Sequence, residues 1–213
     1  HAINLNVVLG TVSIAGSITQ SGGANITISG ASAFYIGGDF NYTSGTFSAG
    51  TGTVFYDGAN AQTIAAVTYN NLTSNKVTGI ATIAATTTVN GVLSVTNGEL
   101  DVYATTTVNG NLVISSAARL RSGAFTISLG GNLNNGGIFI PGTGTVALTG
   151  TGSQSISLAT FNNIIINKAS GPVTFSGNID VYGDFSILAG NIDLGSFSAN
   201  RTSLGGIFTL AAG

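Results

Sequence analysis

A fifteen-residue string sets the plan of this chain by occurring twice. Gly50 to Ile64 reads GTGTVFYDGANAQTI, and ninety-two positions later Gly142 to Ile156 reads GTGTVALTGTGSQSI. The likeness runs on, since Tyr69-Asn70-Asn71-Leu72 through Asn75-Lys76 returns as Phe161-Asn162-Asn163-Ile164 through Asn167-Lys168. Gly50, Gly52, Val54, Gln62 and Ile64 recur unchanged, while Tyr56 becomes Leu148 and Asp57 becomes Thr149. Corner glycines, inward apolar positions and one amide are kept, and the reactive groups vary. A structural coil needs that pattern; a catalytic constellation does not tolerate it.

A shorter period lies inside the long one. ATTTVNG at Ala85 to Gly91 recurs at Ala104 to Gly110, nineteen residues on. Each copy leads into a Gly-x-apolar step, as at Gly16-Ser17-Ile18, Gly38-Asp39-Phe40, Gly131-Asn132-Leu133, Gly183-Asp184-Phe185 and Gly206-Ile207-Phe208. With Tyr56, Leu72, Leu148 and Ile164 filling the gaps, the series is Ile18, Phe40, Tyr56, Leu72, Leu93, Leu112, Leu133, Leu148, Ile164, Phe185, Phe208. Short strands repeating at about twenty residues mark a solenoid. Leu5, Val7 and Leu9 alternate, as do Val12 with Ile14 and Ile26 with Ile28, which is the half-buried strand signal. No window holds helical spacing long enough for a helix.

The expectation is therefore an all-β, single-stranded parallel β-helix of about ten coils, right-handed by the usual crossover rule. Coils stacked at about 4.8 Å give a rod on the order of 50 Å long. Residues 1–213 read as one continuous solenoid, with long copies over 38–129 and 130–213 and a partial copy over 1–37. Asn70, Asn71 and Asn75, matched by Asn162, Asn163 and Asn167, read as corner residues of amide ladders. The competing architecture is a pair of antiparallel sandwiches, for which Asn90-Gly91, Asn97-Gly98, Asn109-Gly110 and Asn135-Gly136 would be hairpin turns. The missing linker and the nineteen-residue echo within one copy count against it.

Only 6% of the residues are charged, against roughly 25% in an ordinary domain. A net charge of −2 gives no basic footprint for nucleic acid. There is no basic amphipathic stretch, nor any apolar run of about twenty residues to span a bilayer as a helix. Cys, Met and Trp are absent, which removes disulfides, zinc thiolates and cysteine chemistry and leaves little that oxidises easily. The chain opens at His1, so it reads as a processed product or an excerpt.

GTGTVFYDGANAQTI followed by YNNLTSNK, then TTTVNGVLSV and GGNLNNGGIF, resembles the β-strand repeats of very large prokaryotic cell-surface proteins and adhesins. The resemblance covers the chain from about Gly10 onward. It implies stacked β-helical repeats serving as stalks, filaments, coats or adhesive shafts, and it defines no catalytic or ligand-binding residue.

The polar residues offer few alternatives. The seven acids are Asp39, Asp57, Glu99, Asp101, Asp180, Asp184 and Asp193. Glycoside hydrolysis needs two carboxylates at matched separation; Asp180 and Asp184 are the nearest approach, and they read as exposed turn residues. Glu99 with Asp101 is the one candidate for a weak calcium site, with solvent-facing acids on a strand as the simpler reading. Asp101 and Asp193 lie several coils apart and cannot share an ion. His1 is a lone terminal histidine, insufficient for a metal site. Lys76 and Lys168 read as solubilising corner residues, five coils apart. Arg119 and Arg121 alternate on one outward face, awaiting an acidic neighbour, with a second subunit as one source. The Thr86–Thr88 and Thr105–Thr107 runs stack as a two-rung array of the kind that binds ice or glycan surfaces, although filling a sheet face explains them. Asn25, Asn41, Asn71 and Asn200 begin Asn-x-Thr acceptors for glycans.

These readings give no catalytic, cofactor-binding or metal residue and no cofactor. The expected role is a non-enzymatic, secreted structural subunit of a filament, sheath, stalk or surface coat. Its partners would be further copies joined end to end, with surface glycans as a second class. The shaft of a large adhesin, or a polysaccharide-binding or polysaccharide-degrading β-helix, are the alternatives.

Overall fold

Runs of three to five alternating Val, Ile, Thr and Phe cannot bury both faces alone, so each must lie against a copy of itself. A computed structural model describes residues 4–157, 159–196, 198–201 and 206–210. They form twenty-nine strands and no helix, and every strand pairing is parallel. The chain is a β-solenoid of about ten turns, and the antiparallel sandwich is excluded. The Asn-Gly dipeptides lie at corners or bulges between parallel strands.

Each turn has three walls. The first wall holds β1 (Asn4–Val8), β4 (Asn25–Ser29) and β7 (Thr46–Ser48), then an eight-stranded sheet of β10 (Thr68–Tyr69), β12 (Thr87–Val89), β14 (Thr106–Val108), β17 (Thr126–Leu129), β20 (Thr145–Leu148), β23 (Asn163–Asn167), β26 (Phe185–Ala189) and β29 (Phe208–Leu210). The second runs through β2 (Thr11–Ile14), β5 (Ala33–Ile36), β8 (Thr53–Tyr56), β11 (Asn71–Ile83), β13 (Leu93–Val102), β15 (Leu112–Ile114), β18 (Leu133–Asn135), β21 (Gln154–Ile156), β24 (Val173–Phe175) and β27 (Ile192–Asp193). The third is made of β3 (Ile18–Gln20), β6 (Phe40–Tyr42) and β9 (Gln62–Ile64), the second halves of β11 and β13, then β16 (Ala118–Arg121), β19 (Ile138–Ile140), β22 (Ala159–Phe161), β25 (Ile179–Val181) and β28 (Ala199–Arg201).

Inward residues of all three walls fuse into one apolar core running from Val7 to Phe185. Leu72, Leu93, Leu112 and Leu133 stack in register on the second wall. The single series expected from Ile18 to Phe208 does not hold beyond them. Leu133 pairs with Ile156, whereas Leu148 stacks on Leu129 in the first wall. All three walls alternate buried and half-buried residues in the same way, so apolar spacing alone cannot tell one wall from another.

The long repeat itself is out of step with the turn. Its first copy begins with β8 on the second wall, and its second copy begins with β20 on the first. Counting β11 and β13 as two walls each, the chain takes fourteen wall-steps between them, which is four turns and two-thirds. Successive repeats are thus rotated by one wall about the rod as well as translated by roughly 22 Å along it.

The Gly-x-apolar steps are corners bonded to their neighbours. The side-chain oxygen of one coil accepts the backbone N–H of the next: Ser17 from Asp39 at 3.0 Å, Asn71 from Val92 at 2.9 Å, Asn111 from Asn132 at 2.8 Å, Asn163 from Asp184 at 2.8 Å and Asp184 from Ile207 at 2.7 Å. That oxygen occupies the place of the next coil's Cβ, 2.3 Å from a Cβ built on Gly91 above Asn71, and likewise on Gly183 above Asn163. Glycine is required there by close approach.

Candidate functional site

The two repeated lysines are buried, hydrogen-bonded polar side chains of the rod. The expectation that they solubilise a corner is overturned: Lys76 is 0% exposed and Lys168 1%, while the neighbouring Val77 is 78% exposed. At each site the chain turns its lysine inward because backbone carbonyls of the coil below converge there, and a buried ammonium needs that many acceptors. Lys76 Nζ donates to Gly58 O, to Asn60 O at 2.7 Å and to Gln62 Oε1 at 2.6 Å. Lys168 Nζ donates to Gly150 O at 2.7 Å, Gly152 O at 2.8 Å and Gln154 Oε1 at 2.6 Å.

The glutamine extends each clamp by one more coil. Gln62 Nε2 donates to Ile36 O at 2.7 Å and to Gly38 O, while its Oε1 accepts from Gly58 N–H at 2.8 Å. Gln154 repeats this with Leu129 O at 2.9 Å, Gly131 O at 2.6 Å and Gly150 N–H at 3.2 Å. Three successive coils are therefore joined through one lysine and one amide. The first clamp sits between the second and third walls, and the second between the first and second, as the rotated repeat demands. Burial lowers the pKa of both lysines, and for Lys76 the charges of Asp57 and Asp39 partly offset that effect.

A second internal polar group belongs to one copy only. Tyr56 OH donates to Tyr69 OH at 2.9 Å, Tyr69 OH donates to Ala65 O at 2.9 Å, and Ala65 N–H donates to Tyr56 OH at 3.1 Å. This closed ring satisfies every group in it, as burial requires. Desolvation pushes the Tyr56 phenol up to about 12, against the lowering effect of its bonds to Tyr69 and Ala65, and raises Tyr69 as well. Leu148 and Phe161 take these places in the second copy.

The charged outer face lies on the third wall. Arg119 Nη1 approaches Glu99 Oε2 at 3.5 Å, Arg121 Nη2 approaches Glu99 Oε1 at 3.1 Å, and Arg121 Nε lies 3.8 Å from Asp101 Oδ1. The acidic neighbours of the arginines are in the preceding coil of the same chain, not in a second subunit. Guanidinium groups thus face the two carboxylates considered for calcium, and among the described residues no group of three metal-ligating side chains occurs.

The remaining expectations sort by position. Asp184 is a corner acceptor for Ile207 N–H, while Asp180 lies on β25 beside Thr160 and Asn200; the two stand on different walls. Asp193 caps its own turn by accepting Gly195 N–H at 2.8 Å. Thr87 and Thr106 point inward, bonding Ala85 O and Ala104 O at 2.8 and 3.1 Å. The outward row has three threonines rather than two rungs, Thr68, Thr88 and Thr107, before Ser128 continues it. Asn90 and Asn109 form one amide rung at 3.0 Å, while Asn75 and Asn167 stand at bulges just before the lysines. Of the glycan acceptors, Asn41 is exposed, whereas the Asn71 oxygen is taken by Val92 N–H. His1 and the side chain of Asn200 lie outside the described residues.

The retained Gln62 was legible as an amide with a structural duty; the lysines' burial was not. The signal that would have revealed it is the fourteen-residue Gln-to-Lys spacing, kept in both copies together with Gly58 and Gly150. Comparison with family models, with curated proteins and with solved structures gives no match.

Proposed function

We propose that this chain is a non-enzymatic structural element outside the cell, a β-solenoid segment of a filament, sheath, stalk or surface coat that grows through its coil ends. The observation that carries this reading is the parallel stacking, in which each described coil is joined to the next by backbone pairing and a further coil can add by the same bonds. Among the described residues β1, β2 and β3 have neighbours on one side only, as do β27, β28 and β29. Leu9 is 78% exposed at the first end and Phe208 56% exposed at the other. Unpaired parallel edges flanked by apolar side chains template a further coil. The non-enzymatic reading is supported by how acids are used, since Asp39 and Asp184 hold backbone N–H groups of the next coil. The absence of Cys, Met and Trp suits an oxidising exterior.

The shaft of a large adhesin is favoured by a separate observation. The long repeat passes from one copy to the next without leaving the coil path, so tandem copies lengthen the rod with no linker. Sedimentation velocity over a hundredfold concentration range separates the two readings. Growth of a continuous distribution of large species supports end-to-end assembly, and a single monomeric species at all concentrations supports the shaft.

A further inference from the structure

We propose that the rod carries a lateral binding site for a neutral linear polysaccharide on its third wall, centred on Tyr103. Register assembles the site: Glu99 and Asp101 on β13 face Arg119 and Arg121 on β16, and Tyr103 follows at the end of β13. The ring is 42% exposed yet fixed. Its hydroxyl donates to Asp101 Oδ2 at 2.9 Å, the carboxylate that Arg121 Nε approaches at 3.8 Å. Its edge lies over Gly123, where an added Cβ would stand 3.0 Å from Tyr103 Cδ1. An aromatic ring held at both ends offers a stacking surface with little ordering cost on binding.

The polar groups beside it match hydroxyl-rich chains. The carboxylates and guanidiniums of the cluster balance in charge, so the site complements a neutral polymer rather than a polyanion. The Arg119 guanidinium is half exposed, with a single long contact to Glu99, and presents donors in a planar fork. A hollow of about 370 Å³ bounded by Ile80, Glu99, Ser116, Arg119 and Ile138 adjoins the cluster at its Glu99–Arg119 end. A second of about 470 Å³ shares Ile138 and continues to Thr160 and Asp180. Together they follow the rod axis, where each coil advances about 4.8 Å, close to the length of one pyranose unit in an extended chain.

The second long copy shows that the architecture does not demand these groups. Leu100 is matched by Ile192 and keeps its inward place, but Glu99 is matched by Asn191 and Tyr103 by Gly195. Where a repeat departs from its plan at outward positions in one place, the departure serves something other than the plan.

The test is titration of the purified full chain with cellohexaose, chitohexaose, mannohexaose and heparin, followed by NMR and calorimetry. Binding of at least one neutral hexasaccharide with a Kd on the order of 10⁻⁴ M is expected, with shifts at Tyr103 and Arg121. Tyr103→Ala should weaken it about tenfold or more, Tyr103→Phe less, and Tyr35→Ala, at an outward tyrosine on β5 of the second wall, not at all. Circular dichroism checks that each variant keeps its strands. The proposal is overturned if no neutral hexasaccharide binds, if heparin binds in preference, or if Tyr35→Ala weakens binding as much as Tyr103→Ala.

Discussion

Lys76 Nζ stands 2.6 Å from Gln62 Oε1, fourteen residues along the chain and one coil away. The contact is part of a chain of bonds reaching from Lys76 through Gln62 to Ile36 O, so one side chain's position fixes three coils. The same relation between Lys168 and Gln154, rotated by one wall, makes it a recurring device of the repeat.

Removing the clamp should unfold coils locally before the rest. Lys168→Met leaves Gly150 O, Gly152 O and Gln154 Oε1 without their donor, and unsatisfied buried acceptors cost roughly 1–3 kcal/mol each before relaxation. A net loss of about 3 kcal/mol is expected from urea denaturation, with hydrogen exchange accelerated first near Gly150 and Leu129. An unchanged midpoint would show that the clamp contributes nothing net.

Glycine at the clamp corner is equally constrained. A Cβ on Gly150 would lie 1.9 Å from Gly130 O, so Gly150→Ala must push two coils apart. Overpacking of this kind costs typically 1–3 kcal/mol, and backbone against backbone belongs at the upper end. Thermal denaturation should show a clear fall for Gly150→Ala and almost none for Gly152→Ala, where nothing stands within 4 Å.

Two titrating groups act in opposite senses at high pH. The tyrosine pKa values are raised in the folded state, so their stabilisation is complete below pH 10 and is lost as pH rises through about 12 for Tyr56. A rise of two units corresponds to about 3 kcal/mol. The lysine pKa values are lowered, so their burial cost is present at neutral pH and is relieved as pH climbs from the depressed value through 10.5. Base titration followed by circular dichroism should show a loss of structure above pH 10 in the parent. Tyr69→Phe should reduce the steepness of that loss.

Surface charge should matter little to stability. Arg119 is half exposed and meets Glu99 at 3.5 Å, and such pairs contribute about 0–1 kcal/mol. Arg119→Ala is therefore expected to shift the urea midpoint negligibly, with or without 1 M salt, in contrast to Lys168→Met.

The sequence makes some of this visible and hides the rest for definite reasons. Alternation in Val12-Ile14 or Ile26-Ile28 and the returning glycines carry the strands and the stacking, because a strand's period is local. Which wall a strand joins depends on corner lengths, and these vary, so Leu148 reads like a partner of Leu133 yet stacks on Leu129. Lys76 reads as exposed because an isolated ammonium belongs in water; only the folded corner brings Gly58 O, Asn60 O and Gln62 Oε1 to one point. Arg119 and Glu99 are twenty residues apart, one coil length, and the nineteen-residue echo beside them already implied that such pairs meet.

These coils are proposed to form a rod that lengthens by further parallel stacking along its axis. Electron microscopy of the purified chain at high concentration tests it most directly. Unbranched filaments much longer than one subunit are expected, with an axial repeat of about 4.8 Å in their diffraction. Discrete rods on the order of 50 Å, unchanged at the highest concentration, would contradict it.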